Sequence, residues 1–231
     1  MDALAQALLR YTERQPGQSP YLTAIRGMGI LRSDHPKPPA HMLSRPALCI
    51  VAQGAKWATF GGTQLEYGAG QALVVGVETP TVGRVVQARP DEPCLVLMLE
   101  LDPAILRSVA DGLESPPAPS TQPGRAVFVA DFQGPLADCA LRLVRLLDTP
   151  QAIPILYPVI MREIAYWLLT GPSGGDIARM ALGQQGPPPR AMSIGGRFGF
   201  VNLTRSFLTG ELPVPFKPGL VRFACDVTVE G

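Results

Sequence analysis

Ala47-Leu48-Cys49-Ile50-Val51-Ala52-Gln53, then Lys56–Phe60, Gly61-Gly62, Thr63–Tyr67, Gly68-Ala69-Gly70 and Gln71–Val77: this succession decides the fold. Short apolar or alternating runs are separated by glycine pairs suited to tight turns between antiparallel strands. Ala24–Leu31 before it, and Arg84–Ala88 and Cys94–Leu101 after it, continue the pattern, with Pro36–Pro39 as an extended connector. Six or seven short strands at close, even spacing predict a small antiparallel barrel or sandwich.

Helical spacing flanks this region on both sides. Leu4, Ala7, Leu8 and Tyr11 predict an amphipathic helix over Asp2–Arg14, ended by Pro16-Gly17-Gln18-Ser19-Pro20. After Leu101, Asp102 is placed to cap a helix whose first residue is Pro103 and which runs through Ile105, Leu106 and Val109. Ser115–Gly124, with four prolines, reads as a loop. Leu136–Leu147 puts Leu136, Ala140, Leu143 and Leu147 on one face; Pro158–Leu169 is a second amphipathic helix and Asp176–Leu182 a short third. The fold class is therefore α+β, a β-barrel followed by a helical segment. The expected divisions are residues 1–20 as helix and linker, 21–102 as barrel, 103–183 as helical region, and 184–231 as a Pro/Gly-rich tail without sustained period.

Composition narrows the function. A hydrophobic fraction of 46% suffices for a buried core, and a net charge of +1 gives no general attraction to nucleic acid or anionic membrane. The amino terminus carries Asp2 where an export signal needs positive charge, so the expected location is the cytoplasm, with no membrane partner. Cys49, Cys94, Cys139 and Cys225 lie far apart and read as reduced, mostly buried thiols. A catalytic metal in a barrel needs about three convergent protein ligands. The two histidines, His35 and His41, fit neither strand-face nor helix-face spacing, so no metal and no cofactor are expected. Gly171-Pro172-Ser173-Gly174-Gly175 matches G-x-S-x-G literally, but a helix precedes it and both histidines come far earlier, so it reads as a helix end and a turn. No catalytic residue is assigned. Candidate pocket residues are His41, Cys49, Trp57, Tyr67 and Cys94: aromatic wall from Trp57 and Tyr67, and thiols that either pack in the core or line a ligand site.

The runs Leu48–Lys56, Gly61-Gly62, Glu66-Tyr67 and Ala72–Val75 resemble the N-terminal domain of AraC-type transcriptional regulators. The likeness continues through Glu92–Leu97, Leu101–Pro103, Arg142–Pro150, Ile153–Pro158 and Glu163–Gly171, and spans about Leu22 to Leu182. It implies a cupin-like barrel without metal that binds a small effector, and helices that mediate homodimerisation. Leu136, Ala140, Leu143 and Leu147 are the expected dimer face, although by pattern the Leu136–Leu147 and Pro158–Leu169 stripes fit helices buried against either the barrel or a second protomer. It also implies a C-terminal module of two helix-turn-helix motifs that reads DNA. The sequence departs from the family there: 184–231 holds Pro187–Pro189, Gly195-Gly196, Pro213, Pro215 and Pro218, and its charges are balanced. No DNA-contacting residue carries over, so the chain is expected not to bind DNA alone. The tail is read as the product of a frame change or truncation, with a genuine short β-extension through the strand-like Val221–Val229 as the alternative. Translating the other two frames beyond the Gly183 codon checks this, since neither frame yielding paired helices would overturn it. Two other readings stay open, a stand-alone cupin-like enzyme and a module that pairs with an intact regulator.

Overall fold

The computed structural model describes residues 1–60, 62–120 and 126–181. The Pro/Gly-rich segment expected over 184–231 lies outside the described residues, as do Cys225, Gly61 and residues 121–125 of the Ser115–Gly124 loop. The chain runs α1 (Asp2–Arg14), β1 (Tyr21–Leu22), β2 (Met28–Ser33), β3 (Ala40–Ser44), β4 (Ala47–Gln53), β5 (Ala55–Phe60), β6 (Thr63–Gly68), β7 (Gln71–Val75), β8 (Thr79–Gln87) and β9 (Cys94–Glu100). It continues through α2 (Pro103–Ala110), β10 (Val127–Asp131), α3 (Pro135–Leu146), a 3-10 turn (Pro150–Ala152), α4 (Ile153–Thr170) and α5 (Gly174–Ala181).

All the strand pairs are antiparallel and form two sheets, one ordered β1-β2-β9-β4-β7-β10 and the other β3-β8-β5-β6. They face each other as a cupin-like barrel. Because successive side chains alternate across a strand, the six-stranded sheet serves two cores. On β4, Leu48, Ile50 and Ala52 point to the helices, whereas Cys49 and Val51 point into the barrel. The same division separates Leu95, Leu97 and Leu99 from Cys94, Val96 and Met98 on β9. The first set packs against α1 to α5; the second meets Ala58, Tyr67 and Val85 from the opposite sheet.

Gly54 joins the two sheets. Its φ is +80°, and a Cβ there would lie 2.5 Å from the Gln87 carbonyl oxygen and 2.9 Å from Cys94 Cα. Only glycine accepts both the left-handed backbone and that approach. The chain therefore leaves β4 and enters β5 within one residue.

The expected α1 and β4 match the observed bounds, and the Asp102 carboxylate caps α2 by accepting from the Ala104 amide at 2.8 Å. Three strands were not expected. β1 is two residues long, β3 is a largely exposed edge strand, and β10 returns from beyond α2 to pair with β7. α4 begins at Ile153, earlier than Pro158, because Pro154 sits in its first turn and Pro158 forfeits only one backbone bond. By length and composition, Pro150–Thr170 could cross a bilayer. Here, though, Arg162 bonds Ser108 on α2 at 2.9 Å, Glu163 pairs with Arg142 on α3, and the buried side joins the shared core.

The Leu136–Leu147 stripe is turned inward. Ala140 and Leu143 are fully buried against the protomer's own helices, and Leu136 and Leu147 pack at that core's margin. As an exposed dimer face the stripe is corrected, because α1 and α4 already cover it. Leu143→Ala is expected to lower stability by about 2–5 kcal/mol in urea denaturation without changing the oligomeric state. A variant that keeps its stability but changes its mass in light scattering would return the stripe to an interface.

Candidate functional site

The barrel interior is mostly apolar, with Ser33, Thr81 and Lys56 as buried polar side chains on its strands. On β5, Lys56, Ala58 and Phe60 share the inward face. Lys56 stands directly opposite Tyr67 on β6 and Val85 on β8, so its stem lies over the interior. Tyr67 is 3% exposed, Cys94 is fully buried, and Lys56 is 8% exposed. Three of the five expected pocket residues, Cys49, Tyr67 and Cys94, thus lie in or beside one interior cluster. Trp57 alternates to the outer face of β5, opposite Glu66 and Arg84, and His41 is exposed on β3 beside Val82. The structure does not bring those two to the cluster.

Electrostatics keep these acids neutral. Burial raises the Cys94 thiol to about 11, with the Lys56 charge pulling the other way, and it raises Cys49 against the same pull. Tyr67 is pushed well above its ordinary value, first by burial and then by thiolate charge that would form at Cys49 and Cys94. At neutral pH the phenol and both thiols therefore keep their protons. The corner that seats Cys94 is fixed by Gln53, whose Nε2 donates to the Pro93 carbonyl at 2.8 Å.

A cleft of about 520 Å³ opens at the barrel mouth, lined by Gly17–Tyr21, Leu31–His35, Lys37 and Val85. Leu31 and Val85 belong to the interior cluster, so the cleft, otherwise lined mostly by polar residues, touches the barrel's apolar lining at those two side chains. Arg32 in this cleft is neutralised by Asp34 at 2.9 Å. Between α1 and α3 a smaller hollow of about 170 Å³ is lined by Arg10, Tyr11, Arg14 and Arg145 among others. Among the described residues no group of three His, Cys, Asp or Glu could hold a metal ion. Gly171–Gly175 forms the end of α4, a turn and the start of α5, where the Ser173 carbonyl accepts from the Asp176 and Ile177 amides.

Lys56 is the residue that sequence reasoning passed over. Its signal was its phase: it alternates with Ala58 and Phe60, and a strand whose inward face starts with lysine breaks the expected pattern.

Comparison with known proteins gives one strong match. The model of the AraC-type transcriptional regulator N-terminus matches residues 24–176. No curated protein sequence matches the chain. Among solved structures, apo ToxT from Vibrio cholerae superposes with TM-score 0.43 at 8% identity, over 61% of this chain and 55% of that one. The AraC-like transcriptional activator CuxR gives TM-score 0.33 at 15% identity, over 72% and 55%. A cupin-2 domain protein from Shewanella frigidimarina gives 0.29 at 14%, over 39% and 87%. The chain spans little more than half the length of the two regulators it matches.

The raised thiol has a consequence for stability. Cys94 holds its proton up to about pH 11 in the folded chain, whereas an exposed cysteine loses it near 8.5. Between those values the unfolded state binds fewer protons, so stability falls as pH rises. Denaturation midpoints are expected to drop from about pH 9 towards pH 11, with Cys94→Ala flattening the drop. An equal drop in the variant would remove Cys94 as its source.

Proposed function

The chain belongs, through residues 24–176, to the AraC-type transcriptional regulator N-terminal family, and from that membership we propose that it is the effector-sensing and dimerising part of a cytoplasmic regulator and not an enzyme. The observation that carries this reading is the cleft at the barrel mouth. A cleft of about 520 Å³ that reaches the apolar barrel lining at Leu31 and Val85 is the concave form that small-molecule sites take.

Homodimerisation belongs on α4. Ile155, Val159 and Tyr166 are 71%, 58% and 42% exposed and lie on one side of the helix, with Leu156 beside them. Isolated apolar residues on a surface need no explanation, but a row of them on one helix fits a second copy of the same row. Replacing Val159 with Arg is expected to give monomer by light scattering with an unchanged melting temperature. A dimer that survives Val159→Arg and Ile155→Arg together would count against this face.

DNA recognition lies outside this part. Net charge is +1, and Arg32, Arg45, Arg89, Arg142 and Arg179 each pair with a carboxylate of the same chain. In mobility-shift titrations at physiological salt, the purified chain should show no shift on its own promoter that survives competitor DNA. A surviving specific shift would overturn this.

A further inference from the structure

Away from the barrel mouth, the hollow of about 170 Å³ between α1 and α3 combines an apolar floor with cationic walls. In the floor Ala7 and Val144 are buried, and Tyr11 and Leu147 pack at the margin of the core. The walls are Arg10 and Arg14 from α1 and Arg145 from α3, with Asp148 as the one carboxylate in the lining. Asp148 stands 3.8 Å from Arg14. Arg10 and Arg145 enter no ion pair among the described residues. Three guanidinium groups therefore border one small concavity against a single negative charge.

Part of this charge has a structural use. Arg14 and Arg145 lie in the last turns of their helices, where a cation complements the open carbonyl ends. Arg10 has no such use. It lies four residues before Arg14, and like charges at that spacing on one helix repel each other. Arg145 brings a third positive charge to the same hollow from the neighbouring helix. A cost of this kind with no compensating contact in the chain marks a place where function is expected.

We propose that this hollow is an anion site that takes the phosphoryl group of a small phosphorylated ligand. It shares no lining residue with the cleft at the barrel mouth, so it is a second site and does not rest on the effector reading of the first. A phosphate monoester carries a charge of about −1.5 to −2 at neutral pH and three acceptor oxygens, which matches the two unpaired guanidinium groups. Planar guanidinium forks suit phosphate geometry, and low-dielectric walls concentrate the field of their charges. Tyr11, its proton held more firmly through burial, adds a neutral donor to the lining. A cation is repelled here, and a monocarboxylate leaves one guanidinium unmatched. Drug-sized ligands occupy about 300–1,000 Å³, so the hollow holds the phosphoryl group itself and leaves a larger body outside.

The test titrates the full chain with inorganic phosphate and with glycerol phosphate by calorimetry and thermal shift, against chloride at matched ionic strength. Both phosphates should bind at one site per chain and raise the melting temperature, and chloride should do neither. Arg10→Gln and Arg145→Gln should each weaken binding at least about tenfold, a difference of about 1.4 kcal/mol. Arg89→Gln, which removes an exposed arginine outside the hollow, should leave it unchanged. Without phosphate, Arg10→Gln should melt no lower than the parent, because it removes a like-charge pair. Absence of phosphate binding by the parent would overturn the site. Equal weakening by Arg89→Gln would overturn it too, by making the binding a diffuse effect of surface charge. A distinctly lower melting temperature of phosphate-free Arg10→Gln would make Arg10 structural. Tighter binding of a short DNA duplex of unrelated sequence than of glycerol phosphate, lost in the same two variants, would assign the arginines to nucleic acid and overturn the small ligand.

Discussion

One sheet with two buried faces sets the terms for everything else in this molecule. An antiparallel sheet commonly keeps one face wet. Here β4, β7 and β9 bury both, one against five helices and the other inside the barrel. Their sequences have to be apolar at every position, which is why Leu48–Ala52 and Leu95–Leu99 are nearly unbroken hydrophobic runs. It follows that a one-residue slip of register would exchange the two cores residue for residue. The Gly54 corner pins that register by tying the end of β4 to the start of β5 against Cys94.

The same arrangement bears on regulation. Val96 and Leu97 are neighbours in the chain, yet one packs in the barrel interior and the other in the core shared with the helices. A ligand that moves the inner residues presses on a wall whose other side carries α1 to α5. Rigid, close-packed layers transmit such displacements because they do not absorb them. α4 is joined to α3 through Arg142 and Glu163 and to α2 through Arg162 and Ser108, so its exposed apolar row moves with that layer. The geometry thus gives the proposed effector and the proposed dimer face a common mechanical element.

Much of this was legible in the sequence, for physical reasons that can be named. Turns announced by glycine pairs, a cap at Asp102 and helical stripes located most elements. What period cannot show is which partner covers an apolar stripe. Leu143 sits on a dimer-like face by pattern and in the protomer's core in space, because two other helices of the same chain arrive there first. Trp57 and Lys56 show the complementary limit. Neighbouring strand residues point to opposite sides, and an aromatic ring draws the eye to the wrong one, whereas the inward residue is the lysine. β3 escaped because an exposed edge strand carries no strict alternation. β10 escaped because it follows a helix and a proline-rich loop.

The account stands on the claim that barrel and helical layer are one cooperative unit sharing one sheet. Native-state amide hydrogen exchange measures this directly. The slowest amides should lie on β4, β7 and β9 and exchange only through global unfolding, together with the buried turns of α3 and α4. If the helices instead exchange as a separate unit at distinctly lower free energy while the barrel stays protected, the shared sheet does not bind the two layers and the central claim fails.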